Sequence, residues 1–222
     1  MTFSLAARDS TGALGMVVTS SSPCVAARCL HVRSNIGVVA SQNITDPRFG
    51  DFLLNRLEAG DTAQQALAAL KESDTTLEYR QISIVPAAGP TAAHSGSGTL
   101  GTYSTSRGDG VVAAGNLLSD PSVPDAMRQA FETTAGDLEY RLLAAVEAGA
   151  EAGGEEGDVH SVGLAVTRDV GWKVTDLRID WSEDPIGDLR ELLRIWMDQR
   201  DDYVTRGLNP GAAPSYGVPG DE

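Results

Sequence analysis

Thr2 is the residue with the most chemistry open to it. Initiator methionine is removed when the next side chain is small, so the mature chain is expected to start at Thr2 with a free α-amine beside its own hydroxyl. Such a residue is nucleophile and general base in one: an α-amine titrates near ~8 and reaches the hydroxyl directly or through one water. An amide carbonyl attacked by Thr2 Oγ needs donors for its developing negative charge. Asn116, after Gly115 at a predicted strand end, is the best side-chain candidate, with backbone N–H groups near Ser41, Gln42 and Asn43 as the others. Asn and Gln at such places also simply close turns. Ser20 and Ser21 are placed to hydrogen-bond the Thr2 amine, and equally to form a turn. Arg48 and Arg80 could grip a carboxylate bidentately, or balance charge on an acidic surface.

Other chemistries find less support. His31, His94 and His160 have no metal-binding spacing, so no metal and no cofactor are expected. No G-x-S-x-G elbow can be written around Ser97, and Gly108 to Gly110 is a lone G-x-G that reads as a turn. The acidic run Gly154 to Asp158 could bind a cation, but such a run more often forms a solvated loop.

Positioning these groups falls to a chain whose hydrophobic pattern switches between periods of two and 3.6. Thr2 to Ala7 and Leu14 to Thr19 read as a hairpin closed by Asp9-Ser10-Thr11-Gly12. Cys24 to Val32 and Ile36 to Ser41 read as two more strands before any helix. Helices are expected from Asp46-Pro47 to Gly60, and from Thr62 to about Glu72 with Asp61 as cap. Strands are predicted at Arg80 to Val85, Thr91 to Ser95 and, after a Gly/Ser/Thr-rich loop, Gly110 to Ala114. Helices over about Pro124 to Thr133 and Asp137 to Gly149 follow, then strands at Ser161 to Thr167 and Lys173 to Asp180 and a helix over about Pro185 to Arg200. Beyond Gly207 the Gly, Pro and Ala content predicts a disordered tail, leaving one domain over 1–206. Strands in blocks separated by helix pairs point to an α+β fold with largely antiparallel sheets, two of them stacked and covered by helices on both outer faces.

Composition narrows the function further. The chain has 222 residues, 17 basic and 31 acidic side chains, and a formal net charge of −14. Two lysines and this balance argue against a nucleic-acid partner. No apolar run approaches the ~20 residues of a membrane span, and no export signal opens the chain, so a cytoplasmic protein with no membrane partner is expected. Cys24 and Cys29 are expected to be buried reduced thiols. Homodimers or higher homo-oligomers are the base-rate expectation.

A threonine opening a strand, a tight turn with Asp and Gly, and a returning strand ending in small hydroxyl residues resemble the N-terminal nucleophile hydrolases. A narrower likeness rests on Ala7-Arg8-Asp9, Ser20-Ser21-Ser22-Pro23, Val39-Ala40-Ser41-Gln42-Asn43, Thr45-Asp46-Pro47-Arg48, Glu78-Tyr79-Arg80-Gln81 and Ala114-Gly115-Asn116-Leu117. These resemble the bacterial family known as domain of unknown function 1028, placed in that superfamily without an established substrate. The resemblance implies a four-layer α-β-β-α sandwich and a basic residue that keeps the Thr2 amine neutral. Arg28 stands where that role is carried over, with Arg33 as competitor; an ordinary ion pair is the other reading of Arg28. It also implies a hydrolase of linear amide C–N bonds in a small molecule or short peptide. The alternative is a non-catalytic binding or accessory protein on the same fold. One departure concerns the loop Gly153 to Ser161: the family pattern expects Gly-Gly-Asp, an Arg and Gln-Ser, whereas here the Arg is missing and His160 replaces Gln. The charge preference of that loop is expected to differ accordingly.

Overall fold

The computed structural model describes residues 1–221. The chain begins as a hairpin, β1 (Thr2–Arg8) and β2 (Leu14–Ser20). Asp9 closes it by accepting from the N–H groups of Thr11 and Ala13 at 2.8 and 3.0 Å, and Gly12 takes the left-handed conformation that the turn requires. The stretch expected as a third strand, Cys24 to Val32, is instead a short helix α1 (Ala26–Cys29) followed by β3 (Leu30–Arg33). Cys24 itself has a φ of 55°, which breaks the extended run. It is also exposed, whereas Cys29 is buried, so only one of the two thiols lies inside.

After β4 (Gly37–Asn43) come α2 (Arg48–Glu58) and α3 (Ala63–Ser73). The cap of α3 is Thr62 rather than Asp61: its hydroxyl accepts from Gln65 N at 3.2 Å while Gln65 Oε1 accepts from Thr62 N at 2.9 Å. His31 packs against α2 at Gly50, where any Cβ would stand 2.1 Å from the imidazole. Strands β5 (Arg80–Pro86) and β6 (Ala92–Ser95) follow, then β7 (Ser104–Gly108) and β8 (Val111–Asn116). Strand β7 occupies what reads in the sequence as a Gly/Ser/Thr-rich loop. The rest is α4 (Val123–Thr133), α5 (Leu138–Glu151), β9 (Ser161–Thr167), β10 (Lys173–Ile179), α6 (Pro185–Met197) and α7 (Arg200–Leu208). Arg206 of α7 lies over the rings of Tyr203 on the same helix and of Tyr216 beyond it.

The chain is thus a mixed α/β protein with seven α-helices among the described residues and two sheets, ordered β10-β9-β2-β1-β8-β7 and β3-β4-β5-β6. Every neighbouring pair is antiparallel. Strand alternation divides the interior into three clusters. Phe3, Leu5 and Ala7 of β1 face α4, α5 and α6, whereas Ala6 lies between the sheets with Met16, Val18, Val38, Ala40, Val85 and Val112. Val39, Ile82 and Ile84 of the smaller sheet turn outward onto α2 and α3. No helix among the described residues is long and apolar enough to cross a membrane.

Candidate functional site

The alternation that makes the space between the sheets apolar carries different residues toward one end of it. Two and four residues before Ala6 stand Ser4 and Thr2; two beyond Val18 is Ser20; two beyond Ala40 is Gln42; four before Val85 is Gln81; four beyond Val112 is Asn116. All six are buried, from 0 % exposed for Asn116 to 5 % for Thr2, so each must find partners inside. Ser4 donates to Gln42 Oε1 at 2.6 Å, Gln42 Nε2 to Gln81 Oε1 at 2.8 Å, and Gln81 Nε2 to Gly115 O at 3.0 Å. Asn116 Nδ2 donates to Gln81 Oε1 at 3.2 Å, which leaves one amide hydrogen uncommitted, and its Oδ1 has no partner. This ladder crosses between the sheets beneath Thr2, which pairs directly with Asn116 in the β1–β8 register.

The Thr2 hydroxyl lies 3.5 Å from Ser20 Oγ and also donates to the Met1 carbonyl. Ser20 Oγ donates to that same carbonyl oxygen at 2.5 Å and accepts from Ser22 N at 3.1 Å. An acyl carbonyl is therefore seated between two hydroxyls at the head of the central strand.

Glu155 completes the site, although its acidic neighbours suggest a solvated loop. Gly153 and Gly154 both have positive φ, 117° and 60°, and together they reverse the chain after α5. Ser119 N then bonds Gly154 O at 3.1 Å and Glu156 N bonds Leu117 O at 3.0 Å, tying the loop to the end of β8. Glu155 is carried inward to 6 % exposure, its Oε2 accepting from Ser21 N at 3.2 Å and its Oε1 buried with no partner. Burial pushes its carboxyl up to about 7, against the pull of the N-terminal ammonium, the Ser21 N–H and His160.

The raised carboxyl makes stability fall with rising pH. Unfolded, the carboxyl titrates at the ordinary 4.5; folded, it keeps its proton to about 7, so native protein binds the extra proton between these values and loses stability as pH rises through them. Denaturant unfolding near pH ~5 and ~8 should show a loss of up to about 3 kcal/mol from this group. Glu155→Gln should abolish that part of the decline, and an unchanged decline in the variant would show that the group is not perturbed.

The side chains of the remaining sequence candidates make their hydrogen bonds to other partners than this cluster. Arg28 donates to the Pro23 and Cys24 carbonyls at 2.6 and 3.1 Å, and Arg33 to Asn55 and Glu58, both at 2.8 Å. Ser41 Oγ bonds Asp46 O at 2.9 Å, on the face of β4 turned toward the helices. Asn43, left-handed at the strand end, joins Tyr79 O and Leu100 N. Arg48 pairs with Asp46 at 2.6 Å and holds that carboxyl below its ordinary range, and Arg80 serves Ile44 O and Thr76 Oγ1. Of the candidates, Thr2, Ser20, Gln42 and Asn116 come together, with Ser21 contributing its backbone N–H. Ser4, Gln81 and Glu155 join them; the period-two continuation from Ala6 and Val85 was the signal for the first two.

The model of the family of unknown function DUF1028 matches residues 2–189, most of the chain and every residue of this cluster. The chain belongs to the DUF1028 family. A crystal structure of protein SPO2555 from Silicibacter pomeroyi, described by the same family model, is similar to this DUF1028 protein at a TM-score of 0.82 and 30 % identity, over 90 % of this chain and 93 % of that one. No curated protein matches this DUF1028 chain.

Proposed function

We propose that this protein is an amidohydrolase whose nucleophile is Thr2 Oγ after loss of Met1, acting on a linear amide of a small molecule or short peptide. The observation that carries the reading is the acyl carbonyl already seated against the Thr2 and Ser20 hydroxyls. The order of helices, large sheet, small sheet and helices supports reading the fold as the four-layer sandwich of the N-terminal nucleophile hydrolases. Removing Met1, which lies over Thr2, uncovers the hydroxyl and frees the amine beside it.

In this reading Thr2 Oγ adds to the amide carbonyl and its proton passes to the Thr2 α-amine. The Ser20 hydroxyl and the uncommitted Asn116 amide hydrogen donate to the oxyanion. The C–N bond breaks as the ammonium returns the proton to the leaving nitrogen, giving an ester on Thr2. Water, activated by the same amine, hydrolyses that ester to the free acid and restores the hydroxyl. Gln42 and Gln81 hold Asn116 from below rather than touching substrate. Arg28 has no part in this scheme, because its guanidinium is engaged with the Pro23 and Cys24 carbonyls just before α1.

The intact mass of protein expressed with any tag at the C-terminus tests the precondition. The expected result is a chain short by one methionine; quantitative retention of Met1 would remove the amine from the mechanism.

A further inference from the structure

The group seated at the Thr2 hydroxyl is an α-aminoacyl group, the methionyl residue itself. Its carbonyl oxygen takes hydrogen bonds from Thr2 and Ser20, and its side chain runs toward Gly157, where a Cβ would stand 3.5 Å from Met1 Cε. Its α-ammonium is within electrostatic reach of Glu155. N-acyl and O-acyl threonine share the atoms N, Cα, Cβ, Oγ and the acyl carbon, so an acyl group on Thr2 Oγ leaves from the same place as the methionyl group. Glu155 is half explained as a structural residue. Its Oε2 fixes the Ser21 N–H, but Oε1 is buried without a donor, and an unpartnered buried carboxylate oxygen is costly until a cation or N–H reaches it.

We infer that the acyl half of the substrate carries a free α-ammonium and that Glu155 recognises it through Oε1. The substrate class is thereby an amino-acid amide or a short peptide with a free N-terminus. The inference rests on the reading of Thr2 as acyl acceptor, and it names which acyl groups that site takes.

Two measurements separate the inference from that reading. Met1-free protein is given methionyl 4-nitroanilide and its N-acetyl counterpart, with wild type, Glu155→Gln and Glu155→Asp. The free-amine substrate should be preferred in kcat/KM by about tenfold or more, the size of one charge-assisted hydrogen bond. Glu155→Gln should erase the preference, lowering kcat/KM on the free-amine substrate by about tenfold more than on the acetylated one, and Glu155→Asp should restore part of it. Equal rates for both substrates would overturn the inference and leave the amidohydrolase standing. So would an equal loss on both in Glu155→Gln, which would place the carboxylate on the amine of Thr2 itself. The second measurement is calorimetric binding of methioninamide and N-acetylmethioninamide to Thr2→Ala protein, which needs no turnover. Methioninamide alone should bind, and only with Glu155 intact; that outcome alongside inactivity on every amide would retire the hydrolase and keep the ligand class. Failure of methioninamide to bind would overturn the inference by itself.

Discussion

Thr2→Ala should lower turnover of any amide the wild type cleaves by at least about 10³-fold, the usual cost of deleting a covalent nucleophile. Alanine is small enough to preserve methionine removal, so the variant keeps the free α-amine and loses the hydroxyl together with one buried methyl group. The folded state should barely notice, since the hydroxyl contributes a long contact to Ser20 and one to the Met1 carbonyl that mature protein lacks. A stability change under about 1 kcal/mol is expected from such a deletion. Thr2→Ser should retain most of the activity, because it keeps both hydroxyl and amine. Steady-state kinetics with a denaturant curve for each variant checks this; an active Thr2→Ala protein would place the chemistry elsewhere.

Glu139→Ala should produce the largest loss of stability of any single charge removal, about 3 to 5 kcal/mol. Glu139 on α5 is completely buried and ties three elements together: Arg168 at 2.9 Å beyond β9, Thr175 Oγ1 at 3.0 Å on β10, and Arg200 at 3.2 Å at the start of α7. Arg168 Nε is already buried without a partner, so truncating Glu139 strips that guanidinium of its remaining acceptor. By contrast, Glu191→Ala, which breaks an exposed pair with Arg194, should cost well under 1 kcal/mol. Equilibrium denaturation of the two variants should separate them clearly, and similar midpoints would show that the buried cluster is not a keystone.

How far such features could be read from sequence depended on what each residue faces. Ser161 to Thr167 coincides with β9 at both ends, because a strand buried on both faces and flanked by polar residues leaves little room for another register. Strand β7, by contrast, is a sheet edge: of Ser104 to Gly108 only Ser106 is buried, so no apolar alternation marks it. Between Cys24 and Val32 the buried residues Val25, Ala26, Cys29 and Leu30 satisfy a helical turn as well as a strand, and a run that short cannot separate the periods. The polar cluster divides along the same line. Thr2, Ser20, Gln42 and Asn116 stand out because hydroxyls and amides interrupt apolar strands at their ends. Glu155 does not stand out, because an acid among Gly153, Gly154, Glu156 and Asp158 looks solvated; its burial arises from two successive left-handed glycines, a property of backbone path rather than of residue type. The role of Arg28 comes from the family resemblance rather than from any residue pattern around it, and the left-handed Cys24 redirects the chain there.

A β-lactone probes whether the hydroxyl of residue 2 is an activated nucleophile. Ring opening by that hydroxyl leaves an ester on the protein and no leaving group, so intact mass reads the addition and peptide mapping reads its position. One adduct per chain on Thr2, absent from Thr2→Ala, is the result predicted. Adduct on another residue, or none on Met1-free protein across a series of such electrophiles, would contradict it.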